Sequence, residues 1–493
     1  MKEEAPLSAN YLHVQMICSK KNPPPMPIPS PILPLARLEA RLIWRRRASW
    51  LLLGLFTVLM LIAGLLSGLR QAREREQQTA YQKLVRQQWE AQPDRHPHRA
   101  AHYGTFAFKP RSLLAAYEPG IEAYAGRIQF LEAHRQNGSN FAEASTLSSA
   151  SRLGELSPAF LVECVLALVI IVLGHGVFAA EVETGRDRLL RAQIGQRRGL
   201  WAGKTLGLWL GISPFVLIAA LVPLTLLFFG ESGLADRAGV LVAALLLYSV
   251  LWVLLVAAVS SVCRSSQAAL AVLICLWLGG GVLLPRAAAG FAAAAHPLPD
   301  KSEFNARLGE EIAKLGDSHN DKDPAFIALK EETLRKHGVS RVEDLPFNYK
   351  GQLMAAGEEQ SAKVFAQEYA KIEAVLDQQT ALVRRFAWLS PSLALRDLAM
   401  RLCGTDAASQ QRFIREAEAY RFSFIQHLNH LQRDHTAYTE KNVQRIDEHL
   451  FDEIEDFKPT PHTLSLALAG STTSWAVLGL WIAVAALFGR RFA

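Results

Sequence analysis

The sequence predicts an all-α polytopic membrane protein with six transmembrane helices and two mainly helical extracytoplasmic domains. Half of its 493 residues are hydrophobic, and they are concentrated in runs instead of being spread evenly. The runs are about twenty residues long, the length that a helix needs to cross a hydrocarbon core of roughly 30 Å. Arginines cluster beside the runs, which is typical of loops that set membrane orientation. The net charge of +7 is therefore attributed to topology and not to nucleic-acid binding.

The apolar runs predict six membrane spans. The predicted spans are residues 48–69, 158–180, 206–229, 239–263, 267–284 and 464–488. Pro214 and Pro223 are expected to kink the third span, where neighbouring helices would satisfy the freed carbonyl groups. The sequence GSTTS interrupts the first half of the sixth span, and its hydroxyl groups are tolerated where they face another helix.

The charges of the short loops predict the orientation. Arginines precede the first span and fill the 181–205 loop, whereas the loop between the third and fourth spans carries Arg237 balanced by two acids. Because basic loops remain in the cytosol, both termini and the 181–205 loop are expected there. The long segments 70–157 and 285–463 then lie outside the cytosol. Apolar residues at helical spacing predict that both are folded, mainly helical domains.

The N-terminal region divides into two parts. Residues 1–34 are predicted to be a disordered extension, because the sequence NPPPMPIPSPILP favours an extended chain. Residues 35–47 are predicted to form an amphipathic helix on the cytosolic membrane surface, with Leu35, Leu38 and Leu42 on one face. No ordered signal-peptide pattern precedes the first span, so a cleavable signal peptide is not expected.

The cysteines and histidines give no complete metal or disulfide pattern. The five cysteines form no C-x-x-C pair. The histidines form two groups: His96, His98 and His102, and His427, His430 and His435. On a helix, His427 and His430 are able to share a metal ion, with His98 and Asp434 as further ligands. No standard zinc spacing is completed, however, and solvated surface histidines are the more common case, so no metal ligand is assigned.

Two ionisable residues lie inside the predicted second span. Glu163 and His175 are functional hypotheses because an ionisable group in lipid is costly. Glu163 is near the outer end of the span, where a structural polar contact is a simpler interpretation than a proton relay. No nucleophile–base motif is present, so no catalytic residue and no cofactor are assigned.

Gly203-Lys204-Thr205 resembles the end of a phosphate-binding P-loop. The P-loop pattern G-x-x-x-x-G-K-[ST] requires glycine at position 198, where Arg198 stands, and Gly199 is one residue too close. The upstream segment is too charged for the buried strand that precedes a P-loop, and the downstream segment is an apolar span. We therefore interpret Gly203-Lys204-Thr205 as the start of a membrane helix.

The 181–205 loop carries acidic, glycine, leucine and basic residues in a defined order. They are Glu181, Glu183, Gly185, Leu189, Leu190, Arg197, Arg198, Gly203 and Lys204. This order resembles that of type-2 ABC exporter permeases, which carry an E-x-E-x-G-T element after the second span, followed by a leucine pair, a proline, basic residues and a Gly-Lys that opens the third span. This chain departs at Arg186, where threonine is usual, and at Gln193, where proline is usual. The segments AAHYGTFAFKPRSLLAAYEPGIEAYAG and LSPSLALRDLAMRLCGTD resemble a bacterial branch with large extracytoplasmic insertions after spans one and five.

The resemblance implies the permease subunit of an ABC exporter in the bacterial inner membrane. It implies a dimer with a second copy or a paralogue, contact with membrane lipid, and a separate ATP-binding subunit; the chain itself would be no enzyme. The ATPase-coupling loop would comprise Glu181, Glu183, Gly185, Arg186, Arg188, Arg197, Arg198, Gly203 and Lys204. The alternative is a non-transporting sensor or assembly scaffold whose periplasmic domains bind a partner, including a role in metalloenzyme maturation.

Overall fold

The computed structural model describes residues 32–138, 156–194, 197–231, 233–438 and 444–492. Most of the predicted N-terminal extension, residues 1–31, lies outside the described residues. In chain order the elements are α1 Ile32–Trp44, α2 Arg47–Glu90, α3 Pro97–Tyr103, β1 Thr105–Phe108, α4 Glu122–Ala125, β2 Ile128–Glu132, β3 Arg135–Gln136, α5 Pro158–Phe160, α6 Ala167–Gly174, α7 Ala179–Glu183, α8 Asp187–Ile194, α9 Arg197–Thr225, α10 Leu234–Val262, α11 Ser266–Trp277, α12 Leu284–Ala295, α13 Lys301–Ala313, α14 Ile327–His337, α15 Tyr349–Phe386, α16 Pro391–Cys403, α17 Ala407–His435, α18 His449–Asp452, α19 Leu464–Leu468 and α20 Thr472–Phe492. Two π-helical segments, Leu161–Leu166 and Leu278–Leu283, continue α5 into α6 and α11 into α12.

The all-α fold with six spans is confirmed. In the part of the chain that the structure describes, six helical segments are long and apolar enough to cross a membrane: Arg47–Glu90, Pro158–Glu183, Arg197–Phe229, Leu234–Val262, Ser266–Ala295 and Thr472–Arg490. Most extend past the predicted bounds, because an apolar run marks only the part of a helix that can lie in hydrocarbon. The clearest case is α2, which continues with polar residues for about twenty positions beyond its apolar run.

The predicted sixth span, 464–488, is divided in the structure. Helix α19 ends at Leu468, and the spanning helix begins at Thr472. Between them Gly470 has a φ of 72°, a left-handed conformation that glycine adopts without steric cost. Arg401 Nη1 donates a hydrogen bond of 2.7 Å to the carbonyl of Ala469, which satisfies a backbone group freed by the break. The GSTTS sequence is therefore a helix boundary and not the interior of a span.

Two of the spans form the centre of the bundle. In the apolar windows of Pro158–Glu183 and Leu234–Val262, 56% of residues are buried, against 17% for Arg47–Glu90 and 11% for Ser266–Ala295. The π-helical segment of the second span frees backbone carbonyls, and side chains of other spans bond them. Tyr248 Oη donates to the carbonyl of Glu163 at 2.8 Å, and Trp277 Nε1 donates to that of Cys164 at 3.0 Å.

The two long insertions pack against each other. We call the described residues of 70–138 and 296–463 the large domain. Trp89 and Ala100 of the first insertion share a buried cluster with Phe424, Leu428 and Phe451 of the second. The antiparallel sheet β1-β2-β3 lies in the first insertion, and its buried Leu131 packs with residues of α17 in a second cluster. The two insertions, which were predicted as separate domains, therefore share buried apolar clusters.

A buried arginine joins the large domain to the bundle. Arg237 lies in the first turn of α10, and its guanidinium forms an ion pair of 2.8 Å with Glu231 Oε1. The same guanidinium donates to Ser112 Oγ at 2.9 Å and to the carbonyl of Leu402 at 3.2 Å. From the sequence, Arg237 is one charge in a short loop with balanced charges. In the structure its side chain connects three segments that are distant in sequence.

The carboxylate of Glu231 also accepts hydrogen bonds from residues of the first insertion. The backbone N–H of Leu113 and Arg75 Nη2 each donate to its Oε2 at 2.7 Å. Burial opposes ionisation of Glu231, but the hydrogen bonds from Leu113, Ser112, Arg237 and Arg75 outweigh it and lower its pKa below the ordinary value of 4.5. The charged form of Glu231 therefore stabilises the folded protein.

Replacing Glu231 with glutamine is expected to reduce the free energy of unfolding by roughly 1–3 kcal/mol near neutral pH. Because the pKa of Glu231 is lowered by folding, its contribution is present above the ordinary pKa of 4.5 and is lost as the pH falls through the lower folded value. Denaturant unfolding of the purified protein in detergent should thus show a difference between Glu231→Gln and wild type that shrinks on acidification. The exposed Glu332→Gln serves as the control, and a difference independent of pH would contradict this account.

Candidate functional site

The 181–205 loop is mostly helical in the structure. It comprises the end of α7, a turn at Gly185 with a φ of 71°, helix α8, and the first turns of α9. Residues 195 and 196 lie outside the described part. Glycine at position 185 is required because the left-handed conformation there is unfavourable for residues with a Cβ atom. The chain therefore folds back between two spans with short helices on either side of this turn.

Lys204 is buried at the centre of the site. Its side chain is 3% exposed, and its Nζ pairs with Glu39 of α1 and with Glu181 Oε1 at 3.3 Å. The ammonium group also lies 5.9 Å from the centre of the Phe178 ring. A lysine is buried at acceptable cost only when carboxylates compensate its charge. Lys204 therefore joins α1, the end of the second span and the start of the third.

The structure gives Gly203-Lys204-Thr205 a packing role and no phosphate-binding loop. Helix α9 is continuous from Arg197, so the backbone N–H groups of residues 203–205 lie within helical geometry. A Cβ atom at Gly203 would lie 2.8 Å from Leu35 Cδ2, so the glycine allows α1 to approach α9 closely. Neither the backbone nor the paired lysine is available to a nucleotide.

Gly203, Gly207 and Gly211 form a stripe along α9 that receives α1. A Cβ atom at Gly207 would lie 2.5 Å from Glu39 Cβ, and one at Gly211 would overlap Ile43. Small residues spaced four apart allow close packing of helices in membranes. This contact is not among the sequence-based predictions, although the G-x-x-x-G-x-x-x-G spacing is its signal.

Helix α1 is present, with bounds shifted by three residues. It spans Ile32–Trp44 instead of 35–47. Leu35 is buried, whereas Leu38 is 52% and Leu42 39% exposed. The glycine stripe receives the side of α1 that carries Glu39 and Ile43. Contact of the exposed leucines with the membrane surface stays a prediction.

The remaining predicted loop residues divide into paired and exposed groups. Arg186 Nε pairs with Glu181 Oε2 at 3.0 Å, and Glu183 Oε2 accepts a hydrogen bond of 3.0 Å from the backbone N–H of Ser266 at the start of α11. The exposed group is Arg188, Arg197 and Arg198. The carboxylates are thus used within the chain, whereas these three arginines are exposed to solvent.

Glu163 in the second span contacts the large-domain side of the molecule. Its Oε2 lies 3.4 Å from Arg396 Nε of α16. This contact corresponds to the structural polar interaction considered for Glu163.

The histidines assemble differently from either sequence group. His427 and His430 are exposed on α17, and Asp434 pairs with Arg433 at 2.7 Å. His98 lies instead with His102 of its own sequence group and with two histidines from elsewhere, His134 and His319. Burial, followed by the charges of these three neighbours, lowers the pKa of His98 to about 3. Sequence spacing gives no signal for His134 and His319, because they come from separate segments.

The comparisons with known proteins bear on the large domain. Residues 303–460 match a family described as a domain of unknown function, DUF3526. Neither the curated proteins nor the solved structures give a significant match to this chain. The matched segment runs from α13 to just before α19, so it covers most of the second insertion and includes neither the 181–205 loop nor the first insertion.

Replacing Gly207 with leucine is expected to detach α1 from α9. The added side chain would overlap Glu39 and the α1 backbone, and overpacking of this kind costs roughly 1–3 kcal/mol. Trypsin cleavage at the exposed Arg37 and Arg41 should become at least about fivefold faster, because the detached state is more populated. Gly239→Leu, at a position with no atom within 4 Å of the new Cβ, should leave cleavage unchanged. Equal rates in both variants would refute the packing role of the stripe.

Proposed function

We propose that this chain is the membrane-spanning permease subunit of an ABC exporter, driven by a separate ATP-binding subunit. The observation that carries the proposal is the pairing of the buried Lys204 with Glu39 and Glu181, which we call the Lys204 joint. It lies in the loop that resembles the coupling element of type-2 permeases, and it connects that loop to two spans and to α1. A partner that displaces the loop would therefore move these helices together.

The exposed arginines are the docking residues in this proposal. Arg188, Arg197 and Arg198 belong to the same loop as Lys204 and are exposed to solvent, so a complementary partner surface would be acidic. Exposed ion pairs contribute only about 0–1 kcal/mol each, but exclusion of water at an interface strengthens them. Glu181 and Glu183 would act through the chain, by holding Lys204 and the start of α11, and not through direct pairing with the partner.

The peripheral spans supply the surfaces for lipid and for a second permease copy or paralogue. Few residues are buried in the apolar windows of Arg47–Glu90 and Ser266–Ala295, so both helices present wide apolar faces. The basic loops favour a cytosolic location for α1, the 181–205 loop and the C-terminus. The large domain would then face the periplasm of a bacterial inner membrane.

A sensor or assembly scaffold is the second candidate function. The observation that favours it is the histidine group in the large domain, because such a group suits a protein that handles a metal ion outside the cytosol. The permease and the scaffold differ in whether nucleotide turnover by a partner depends on the 181–205 loop.

Charge reversal of Arg197 and Arg198 to glutamate tests the permease. The double variant should insert and fold normally but lose most of the ATP turnover that the permease stimulates in its ATP-binding subunit, measured in proteoliposomes. The matched control reverses another exposed basic pair, Arg335 and Lys336 on the large domain, and should keep full turnover. Unchanged turnover in the Arg197/Arg198 variant would reject the docking surface and favour the scaffold.

The isolated chain is expected to bind no ATP. Lys204 is paired with two carboxylates, and Gly203 is packed against Leu35. The wild-type chain should therefore have no measurable affinity for ATP, and Lys204→Ala should not change this. Equilibrium binding of a fluorescent ATP analogue to the purified wild type and variant measures this directly. If the wild-type chain binds ATP and Lys204→Ala abolishes that binding, the proposal that a separate subunit binds the nucleotide is overturned.

A further inference from the structure

We propose that His98, His102, His134 and His319 form a binding site for a divalent transition-metal ion of the class that prefers imidazole ligands, with Zn²⁺ as its representative. The site lies in the large domain, and the inference does not depend on the permease function. It departs from the expectation drawn from the sequence, which assigned no metal ligand.

The ligand atoms converge at the spacing that a metal ion requires. One ligand nitrogen from each histidine lies within 4.8 Å of the other three. His98 Nε2 is 3.1 Å from His102 Nε2 and 3.2 Å from His319 Nε2. In a tetrahedral site with Zn–N bonds of roughly 2.0–2.1 Å, neighbouring nitrogens are about 3.3–3.4 Å apart. The two separations from His98 Nε2 are therefore close to the edge of such a tetrahedron, and the remaining ligand atoms lie within 4.8 Å of one another.

Carboxylates orient two of the imidazole rings. His134 Nδ1 lies 3.3 Å from Glu358 Oε2, and His319 Nδ1 lies 3.0 Å from Asp317 Oδ1. Because a carboxylate accepts hydrogen bonds, each Nδ1 carries the proton and each Nε2 of the neutral ring keeps its lone pair. Carboxylate–histidine pairs orient metal ligands in this way in many proteins. The Nε2 of His134 is buried and has no hydrogen-bond partner within the described residues.

Hydrogen bonding alone does not account for the cluster. A ring nitrogen offers either one proton or one lone pair, yet His98 Nε2 lies close to two other Nε2 atoms. At most one of these contacts is a good hydrogen bond, so the other brings polar atoms together without a bond. A cation placed between the lone pairs would satisfy all of them.

The site is built on supported elements from both insertions. His98 and His102 are one turn apart on α3, and His134 lies in the turn between β2 and β3. His134 has a φ of 61°, an uncommon conformation for a residue with a side chain, and its backbone N–H donates to Glu358 Oε2 at 3.1 Å. His319 is in the segment between α13 and α14, and its backbone N–H donates to Asp317 Oδ1 at 2.9 Å. A bound ion would therefore connect the two insertions.

The donor set and exposure indicate the type of ion. Four imidazoles without a thiolate favour Zn²⁺, Cu²⁺ or Ni²⁺ over Ca²⁺ or Mg²⁺, which prefer oxygen ligands. His102 and His319 are exposed whereas His98 and His134 are half-buried. An ion can thus reach the site from solvent while two of its ligands remain fixed by the protein.

Zn²⁺ binding to the full-length chain tests the site. The protein, purified in detergent without an oligohistidine tag and stripped with a chelator, is titrated with Zn²⁺ against a chromophoric chelator. We expect one ion per chain in the wild type, and loss of this binding in His98→Ala/His134→Ala. The matched control, His427→Ala/His430→Ala, removes an exposed histidine pair outside the cluster and should bind as the wild type does. Co²⁺ should give the intense visible absorption of a tetrahedral site in the wild type and control alone.

Two single variants keep the test valid if the double variant misfolds. His319→Gln and Asp317→Asn change exposed residues of one segment, so the helical circular dichroism should be unchanged. Removing an orienting carboxylate typically weakens metal binding about 10–100-fold, and we expect that range for Asp317→Asn and at least that loss for His319→Gln. Absence of Zn²⁺ binding by the wild type, unchanged affinity in both single variants, or loss of binding in the His427/His430 control would each overturn the proposal.

Discussion

The large domain depends on the buried ion pair between Glu358 and Arg421. Both side chains are fully buried, and Arg421 Nη1 lies 2.6 Å from Glu358 Oε1. Arg421 also donates to the carbonyl of Glu132 at the end of β2, at 3.2 Å, and Glu358 accepts from His134. Burial would raise the pKa of Glu358, but the hydrogen bond from His134 and the charge of Arg421 lower it to about 2. One pair thus fixes α15, α17 and the sheet in a single arrangement, since an unpaired buried charge would cost several kcal/mol.

The same pair links the core of the large domain to its surface histidines. Because Glu358 holds both the backbone and the ring of His134, the β2–β3 turn is positioned from inside the domain. His319 comes from the other insertion and is positioned by Asp317. The insertions are therefore joined by buried apolar clusters, by the hydrogen bonds of Glu358 and Arg421 to His134 and Glu132, and at the surface by four histidines, of which three come from the first insertion and one from the second.

The features that depend on the thickness of the bilayer were predictable from the sequence. The features that depend on contacts between distant residues were not. Six spans were predictable because hydrocarbon thickness requires long apolar runs. The packing of α1 on α9 was not, because the amphipathic pattern of α1 gives no sign that the glycine stripe of α9 buries Ile43. The short sheet and the shared apolar clusters also lack a periodic signal. For the coupling loop, sequence order identified Glu181 and Lys204, but only the structure shows that they pair. His134 and His319 are far apart in sequence, and no spacing rule connects them.

Buried ion pairs lie at both ends of helix α9. In the proposed permease they connect the 181–205 loop with the large domain. Lys204 near its start pairs with Glu39 and Glu181, and Glu231 just after its end pairs with Arg237 and Arg75. The helix is continuous from Arg197 to Thr225, although Pro214 and Pro223 inside it cannot donate backbone hydrogen bonds. Breaking the ion pairs at either end would leave a buried cation unpaired, which is energetically costly. In the proposed permease, helix α9 is therefore the element that connects the 181–205 loop with the base of the large domain.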